Sequence, residues 1–337
     1  MYSKKIVLVN DLEFRNKKIA IIHHNDGDGI CSAAIFALML KKLGNFPALI
    51  IAPEHVELDD TIKREIKESK AEAVVVLDIP IERVHELGLP MFVMDHHPYT
   101  GKLDLNAEIN HNTENCCAYL TFEYCRKIAE IEELAWISAV GCLSDKDETG
   151  FNKILPFVER GLDREVMQKM MGFISSAKIF GRDGIACGVN ALIEAASMGI
   201  PTAVLGSTPN AQRLQWLRNL SRKERDYWLL FHKDFAKINE KTIFYKIQSV
   251  LPIQSYLAGT LSNFYPNHVC LVTNKNYADV FMTIEARTKI RKIDLGSVFR
   301  EIATKLGGNG GGLAYAAGAK IPVEKEQEFL KLFESRL

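Results

Sequence analysis

Three short apolar runs in this chain each end in an acid, and two of them also carry imidazoles there. Lys18-Ile19-Ala20-Ile21-Ile22 runs into His23-His24-Asn25-Asp26-Gly27-Asp28-Gly29, Ala73 to Leu77 runs into Asp78, and Met91-Phe92-Val93-Met94 runs into Asp95-His96-His97. A fourth acidic cluster, Asp145-Lys146-Asp147-Glu148, follows the apolar helical segment from Leu134 to Leu143. Carboxylates brought together repel, and each then resists ionising. A pair of divalent cations removes that conflict, and mixed carboxylate and imidazole ligands suit Mn²⁺, Zn²⁺ or Fe²⁺ better than Ca²⁺. The expected ligands are His24, Asp26 and Asp78 for one ion, and Asp28, Asp78, His96 and Asp145 for the other, with Asp78 bridging. Two ions about 3.5–4 Å apart lower the pKa of a bridging water and clamp a phosphoryl group for in-line attack.

Neighbouring residues fill supporting roles. His97 is assigned to the scissile phosphate, and Asp95 to orienting the imidazoles. His23 competes with His24, because neighbours in an extended segment point oppositely; His24 is the preferred ligand. His111 is read as structural or close to the substrate. Gly27 and Gly29 are expected to give a tight turn its backbone freedom, so that Asp26 and Asp28 both aim inward. The stretch Gly307-Gly308-Asn309-Gly310-Gly311-Gly312 is read as a nest of exposed backbone amides with positive φ angles, against the alternative of a mobile surface loop. Its exposed amides, those of Gly310, Gly311 and Gly312 among them, suit phosphate oxygens, although no Walker-type Lys follows. Arg287, then Lys289 and Arg291, lie in a basic patch expected directly after a strand, where a guanidinium pairs with phosphate.

The elements needed to hold these residues follow from periodicity. Strands are expected at 18–24, 47–52, 73–78, 91–94 and 109–112. Helices are expected at 30–43, 59–69, 81–87, 115–130 and 133–143. Such alternation predicts a parallel sheet covered on both faces, and ligands in such sheets bind outside the carboxyl ends of the strands. From 152 to 240 the pattern is helical, with a loop at 175–184 and a long helix or helix pair over 213–237. Trp216, Tyr227 and Trp228 there either pack or stack bases, and packing is the expectation. Strands return at 244–250, 269–273, 280–284 and 319–323, with helices at 295–306 and 324–337. The division is 1–150, 151–241 and 242–337: an α/β parallel-sheet domain, a helical extension, and a smaller α/β domain.

Bulk properties narrow the class. The chain has 337 residues, 42 basic and 42 acidic side chains and no net charge, so no general basic coat for nucleic acid is present. No run reaches the roughly 18 apolar residues of a membrane span, and the first residues lack the order of a signal peptide. The seven cysteines are scattered without a C-x-x-C pattern, as in a reduced, cytoplasmic protein.

Together these residues resemble the DHH phosphoesterase superfamily. Asp95-His96-His97 is its name-giving motif, His24 to Gly29 resembles its first motif, Asp78 its second and Asp145 its fourth. Glu285-Ala286-Arg287-Thr288 and Gly310 to Gly318 resemble the arginine and glycine-rich motifs of the accompanying DHHA1 domain. The resemblance implies a two-domain hydrolase of phosphodiester or phosphoric anhydride bonds. It implies two divalent ions, Mn²⁺ above all, with Mg²⁺ or Co²⁺ as substitutes, and a RecJ-like layout of the shorter archaeal type. Ile22 and Leu313 depart from the pattern, each standing where the family often has His. The leading expectation is an exonuclease on single-stranded DNA or RNA. The alternatives are a small-nucleotide phosphodiesterase acting on cyclic dinucleotides, very short RNA or bisphosphorylated nucleotides, and a catalytically idle scaffold in a repair or replication assembly. A homo-oligomer and a repair or replication protein are the expected partners, and no membrane.

Overall fold

The computed structural model of the chain describes residues 11–53, 58–99, 101, 105–275, 280–290 and 293–337. It divides into two compact units, 1–217 and 218–337.

The first unit runs α1 (Asp11–Asn16), β1 (Ile19–His23), α2 (Gly27–Lys42), β2 (Leu49–Ile51), α3 (Asp60–Glu68), β3 (Ala73–Leu77), β4 (Met91–Asp95), β5 (Glu108–His111), α4 (Cys117–Cys125), α5 (Ala135–Asp145), α6 (Glu148–Ile154), α7 (Arg164–Ser175) and α8 (Gly181–Met198), then enters α9 (Pro209–Leu230). Its sheet is wholly parallel, in the order β2-β1-β3-β4-β5. Strand side chains alternate between faces, and both faces are buried. Ile19, Ile21, Val75, Leu77, Phe92 and Met94 join one core with α2, α4 and α5. Ala20, Ile22, Val74, Val76 and Val93 join another with Ile62 and Ile66 of α3. The apolar runs of the sequence are thus strands packed on both sides. The chain leaves β1 for β2 on one side and reaches β3 on the other, so the strand order switches direction at β1 and β3. That switch point is where open α/β sheets bind ligands.

The second unit follows with α10 (His232–Phe235), β6 (Ala236–Ile238), β7 (Thr242–Ile247), α11 (Gln254–Phe264), β8 (Val269–Asn274), β9 (Phe281–Thr288), α12 (Leu295–Lys305), β10 (Asn309–Leu313), β11 (Ala316–Pro322) and α13 (Glu326–Glu334). Its mixed sheet has the order β10-β11-β9-β8-β7-β6. One face packs on Phe299, Phe329 and Phe333 of α12 and α13, the other on Leu257, Ala258 and Leu261 of α11.

Several local expectations are corrected. Residues 175–184 are not a loop: a 3-10 turn at Ser176–Phe180 joins α7 to α8, with Ala177 buried in the core. The helix expected at 81–87 shrinks to a single 3-10 turn, Ile81–Arg83. A strand, β6, interrupts the helical pattern expected up to 240 because it pairs with β7. Arg287 lies inside β9 rather than after a strand, since that strand runs on to Thr288. Arg291 lies outside the described residues, whereas Lys289 is exposed just beyond β9.

The glycine-rich stretch is the largest correction. Gly307 and Gly308 turn the chain, and from Asn309 it is a strand, β10, in which Gly310, Gly311 and Gly312 pair with Ala319, Gly318 and Ala317 of β11. The reason is steric. A Cβ on Gly310 would stand 2.8 Å from the Phe299 carbonyl oxygen, and one on Gly296 would stand 2.2 Å from that of Gly312. Glycines let α12 lie directly against this edge strand.

Candidate metal centre

The site is built from the carboxyl ends of β1, β3 and β4 and the C-terminus of α5. After β1, Asp26 caps α2, its Oδ1 accepting the Gly29 N–H at 3.1 Å. Asp28 is the second residue of that helix. Neither Gly27 nor Gly29 has a positive φ, so the expected turn is instead the first turn of a helix. The glycines are needed for space: a Cβ on Gly29 would stand 2.4 Å from the His24 carbonyl oxygen, and one on Gly27 2.3 Å from Ser144 Oγ.

Asp28 is 1 % exposed. Its oxygens accept the Cys117 and Ala118 backbone N–H groups, each at 2.8 Å. Those are the first two residues of α4, whose N-terminus has no side-chain cap of its own. Unsatisfied amides and the helix dipole both favour an anion there. Burial, and then the neighbouring Asp78, nevertheless push the Asp28 pKa well up. Asp78 follows β3 with a φ of 64°, a left-handed conformation that costs an L residue about 1–2 kcal/mol and that Asp tolerates better than most. Its N–H extends the ladder to the Met94 carbonyl at 2.9 Å.

These groups converge as the spacing predicts. His24 Nδ1 approaches Asp26 Oδ2 to 2.9 Å and Asp78 Oδ2 to 3.6 Å. His96 Nε2 lies 3.2 Å from Asp78 Oδ1 and 3.8 Å from Asp28 Oδ2, and its Nδ1 lies 3.8 Å from Asp145 Oδ2. His24, Asp26 and Asp78 form one cluster, and Asp28, His96 and Asp145 another, each with ligand atoms within 4.8 Å of one another. Burial alone would lower both imidazoles, but adjoining carboxylates outweigh it: Asp26 and Asp78 bring His24 to about 10, and Asp78 and Asp28 bring His96 to about 9. The imidazolium protons thus supply the positive charge that the buried carboxylates require.

Divalent ions fit the same donors. His24 Nδ1 and Asp78 Oδ1 are buried and, despite those short approaches, have no hydrogen-bond partner in acceptable geometry among the described residues. Buried polar atoms without partners are rare, and both lie where a shared cation would satisfy them.

The remaining imidazoles separate clearly. His23 is buried; burial lowers its pKa to about 4, and its Nδ1 donates to the His24 carbonyl at 2.8 Å. It is therefore neutral and turned away from the cluster. His97 Nδ1 lies 2.7 Å from Asp95 Oδ1, and that hydrogen bond raises the His97 pKa against the opposing effect of burial. His97 can also be grouped with Asp78 and His96. His111 Nε2 donates to the His97 carbonyl at 2.7 Å, pinning the segment after β4 from β5.

Of the acidic run 145–148, only Asp145 faces this site. Asp147 caps α6 through Gly150 and accepts the Cys116 N–H, both at 2.8 Å, while Glu148 pairs with Arg164. Cys116 and Cys142 adjoin Asp147. Its carboxylate is already held by backbone donors there, and burial pushes the Cys116 thiol well up, so this cluster is structural. All seven cysteines are free and buried.

Two features escape the sequence. One is the α4 amide pair, which carries no side-chain signal. The other is Lys178, whose charge adds, against burial and after His24 and the Gly29 N–H, to holding the Asp26 pKa down, and which lies in the segment expected to be a loop. A cavity of about 590 Å³ lies elsewhere, beside Ile19, Ala73 and Met91 at the amino ends of the strands.

In the second unit Arg287 is already engaged. Its Nη1 lies 3.0 Å from Glu285 Oε2 and its Nη2 donates to Ser255 Oγ at 2.6 Å. Leu313 and Tyr315, flanking the β10–β11 turn, are both exposed.

Similar folds occur among solved structures. An exonuclease RecJ bound to manganese matches with a TM-score of 0.65 and 17% identity, over 98% of this chain and 95% of that one. RecJ of Thermus thermophilus, in complex with Mn²⁺, matches at 0.61 and 17% over 98% of this chain but only 55% of its own. A pGpG-specific phosphodiesterase from Vibrio cholerae matches at 0.50 and 15% over 94% and 97%. At these identities the likeness is one of fold. A search of curated proteins by sequence found no match. No described helix is long and apolar enough to cross a membrane. Residues 18–142 match the N-terminal domain of the DHH family and residues 253–337 match the DHHA1 domain, so the chain carries both of these domains.

Proposed function

We propose that the protein is a divalent-metal-dependent phosphodiesterase that removes nucleotides from single-stranded DNA or RNA. The observation that carries this reading is the pair of carboxylate–imidazole clusters, His24–Asp26–Asp78 and Asp28–His96–Asp145, linked by the 3.2 Å approach of His96 to Asp78. His24, Asp26 and Asp78 would hold one ion, and Asp28, Asp78, His96 and Asp145 the other. Such ions, when bound, supply an activated water and neutralise phosphoryl charge, and Mn²⁺ is the first choice. The protein's own part is positional. Asp28 is fixed by the α4 amides, and Asp78 by its turn. Asp95 holds Nδ1 of His97, so that Nε2 is left to donate to a phosphate oxygen. Arg287 and the β10 glycines belong to substrate binding, Arg287 by pairing with a phosphate beyond the cut. The working division of labour is catalysis in 1–150, a helical extension in 151–241 and substrate binding in 242–337.

The RecJ fold likeness supports the exonuclease reading. The full-length likeness to a pGpG-specific phosphodiesterase supports a second, in which the substrate is a dinucleotide or similarly small. Incubation with Mn²⁺ and end-labelled 5-mer and 30-mer DNA and RNA, alongside cyclic dinucleotides, separates the two. Stepwise shortening of the 30-mer at a rate matching or exceeding the 5-mer is expected. Turnover confined to dinucleotides would replace the first reading by the second, and no Mn²⁺-dependent turnover of any substrate would remove both.

A further inference from the structure

The C-terminal half of α9 borders a cavity that the metal chemistry does not use. Tyr227, Trp228, Lys246, Ile247, Gln248 and Lys275 line about 250 Å³, all within the second unit. Trp228 is the fixed wall. It is half-buried and packs edge-on against Tyr245, with ring centroids 6.0 Å apart at 72°, and the Tyr245 hydroxyl donates to its carbonyl at 2.5 Å. Tyr227 is the more exposed one, at 53 %; it stands perpendicular to Trp228, with centroids 5.5 Å apart at 83°, and tilted at 55° to Phe231, 5.0 Å away. Lys246 is tied to Glu326, whereas the Lys275 ammonium has no side-chain partner among the described residues. An exposed aromatic ring, a carboxamide and an ammonium around one cavity match a nucleobase, its polar edge and its phosphate.

A second observation lies on the same helix. Arg218, Arg222 and Arg225 recur at helical spacing along one face. Burial first, then the charges of Arg225 and Arg222, hold the Arg218 pKa below its usual value. Arg225 lies 4.2 Å over the Tyr256 ring, and its Nε is buried without a hydrogen-bond partner. The chain is neutral overall, whereas along 218–226 Arg218, Arg222, Lys223 and Arg225 outnumber Glu224 and Asp226, a local excess of positive charge that suits a polyanion.

We infer that this half of α9, with the ends of β7 and β8, is a docking site for single-stranded nucleic acid. The Tyr227–Lys275 cavity takes one base with its phosphate, and the arginine row takes further phosphates. The inference rests on the strand-hydrolase reading and names the surface that would select long strands.

The test is equilibrium binding to the full chain in EDTA, where no strand is cut. Fluorescence anisotropy compares labelled oligo-dT and oligo-U 12-mers with the trinucleotides. The 12-mer is expected to bind more tightly than the trinucleotide. Tyr227→Ala and Lys275→Glu are each expected to reduce that preference about tenfold, while Tyr227→Phe retains it. Arg222→Ala is expected to lower the salt slope by about 0.7. Lys275→Glu tests the cavity without removing any apolar contact of α9, should Tyr227→Ala disturb the helix. A wild-type protein that binds both lengths equally, or folded variants that keep the full preference, would overturn the docking site. Hydrolysis of the 12-mer by the wild type with Mn²⁺ is scored separately, so a protein that degrades long strands with unchanged variants loses this site and keeps its proposed activity.

Discussion

The buried carboxylate of Asp95 reaches the imidazole of His97, with Oδ1 and Nδ1 2.7 Å apart, and not that of the adjoining His96. Its other oxygen accepts the Ile81 N–H at 3.3 Å, so the pair is fixed from two directions. His96 turns to Asp78 instead, at 3.2 Å. The two adjacent histidines thus have different tasks. His97→Ala is expected to retain metal and lose activity by about 10²-fold or more, with Asp95→Asn following it. His96→Ala is expected to lose one ion. Elemental analysis beside initial rates decides the matter, and equal metal loss in both histidine variants would make His97 a ligand.

Asp78 joins both clusters, so Asp78→Ala is expected to lose both ions and all measurable hydrolysis. Its φ of 64° makes Asp78→Asn the cleaner companion, since Asn accepts that conformation with little strain. Wild-type turnover by either variant, with an unchanged circular dichroism spectrum, would end the bridging assignment.

Metal loading should stabilise the fold, because Asp28 and Asp78 are buried carboxylates in one small volume. A ligand at 100 times its Kd adds about 2.7 kcal/mol, which for a unit of this size raises Tm by about 5–10 °C. Thermal scans with Mn²⁺ and then with excess EDTA should show that rise and its reversal. Asp78→Asn should show neither.

Glycine substitutions distinguish space from backbone freedom. Gly29→Ala places a methyl 2.4 Å from the His24 carbonyl oxygen, and is expected to cost about 1–3 kcal/mol and to weaken metal binding. Gly172→Ala in α7 meets nothing within 4 Å and is expected to stabilise by about 0.5–1 kcal/mol. Denaturant titrations of both variants give the two signs. Equal shifts would mean that helix propensity alone is at work.

Arg287→Ala is expected to raise KM more than it alters metal content. It should also cost stability, because it leaves Glu285 without its guanidinium. Glu285 already has a pKa raised by burial. Measuring KM and metal content on one preparation separates the roles. A large fall in metal affinity with KM unchanged would remove Arg287 from substrate binding.

The first unit is legible because its signal is carried by side-chain type and period. Apolar strands ending in His24, Asp78 and His96 can be read directly, and so can Asp145 after an apolar helix. What stays hidden is carried by backbone. The stretch from Gly307 to Gly312 looks like a phosphate nest by composition, yet from Asn309 it pairs as strand β10, and its glycines admit α12 more closely than a Cβ would allow. Arg287 is expected after a strand because Glu285 to Lys289 is polar, but a strand that exposes alternate residues tolerates this. Strand alternation says only that one of His23 and His24 faces the site, and the structure turns His23 into the core.

One carboxylate in the site has two allegiances, and this reaches beyond catalysis. Asp28 faces His96, yet it also accepts the first two amides of α4. Any change in the charge it must balance therefore alters how tightly that helix begins. Hydrogen–deuterium exchange at Cys117 and Ala118 becomes a gauge of site occupancy, readable without substrate. Loss of ions would register there as fraying of a helix end, well before the sheet loosens.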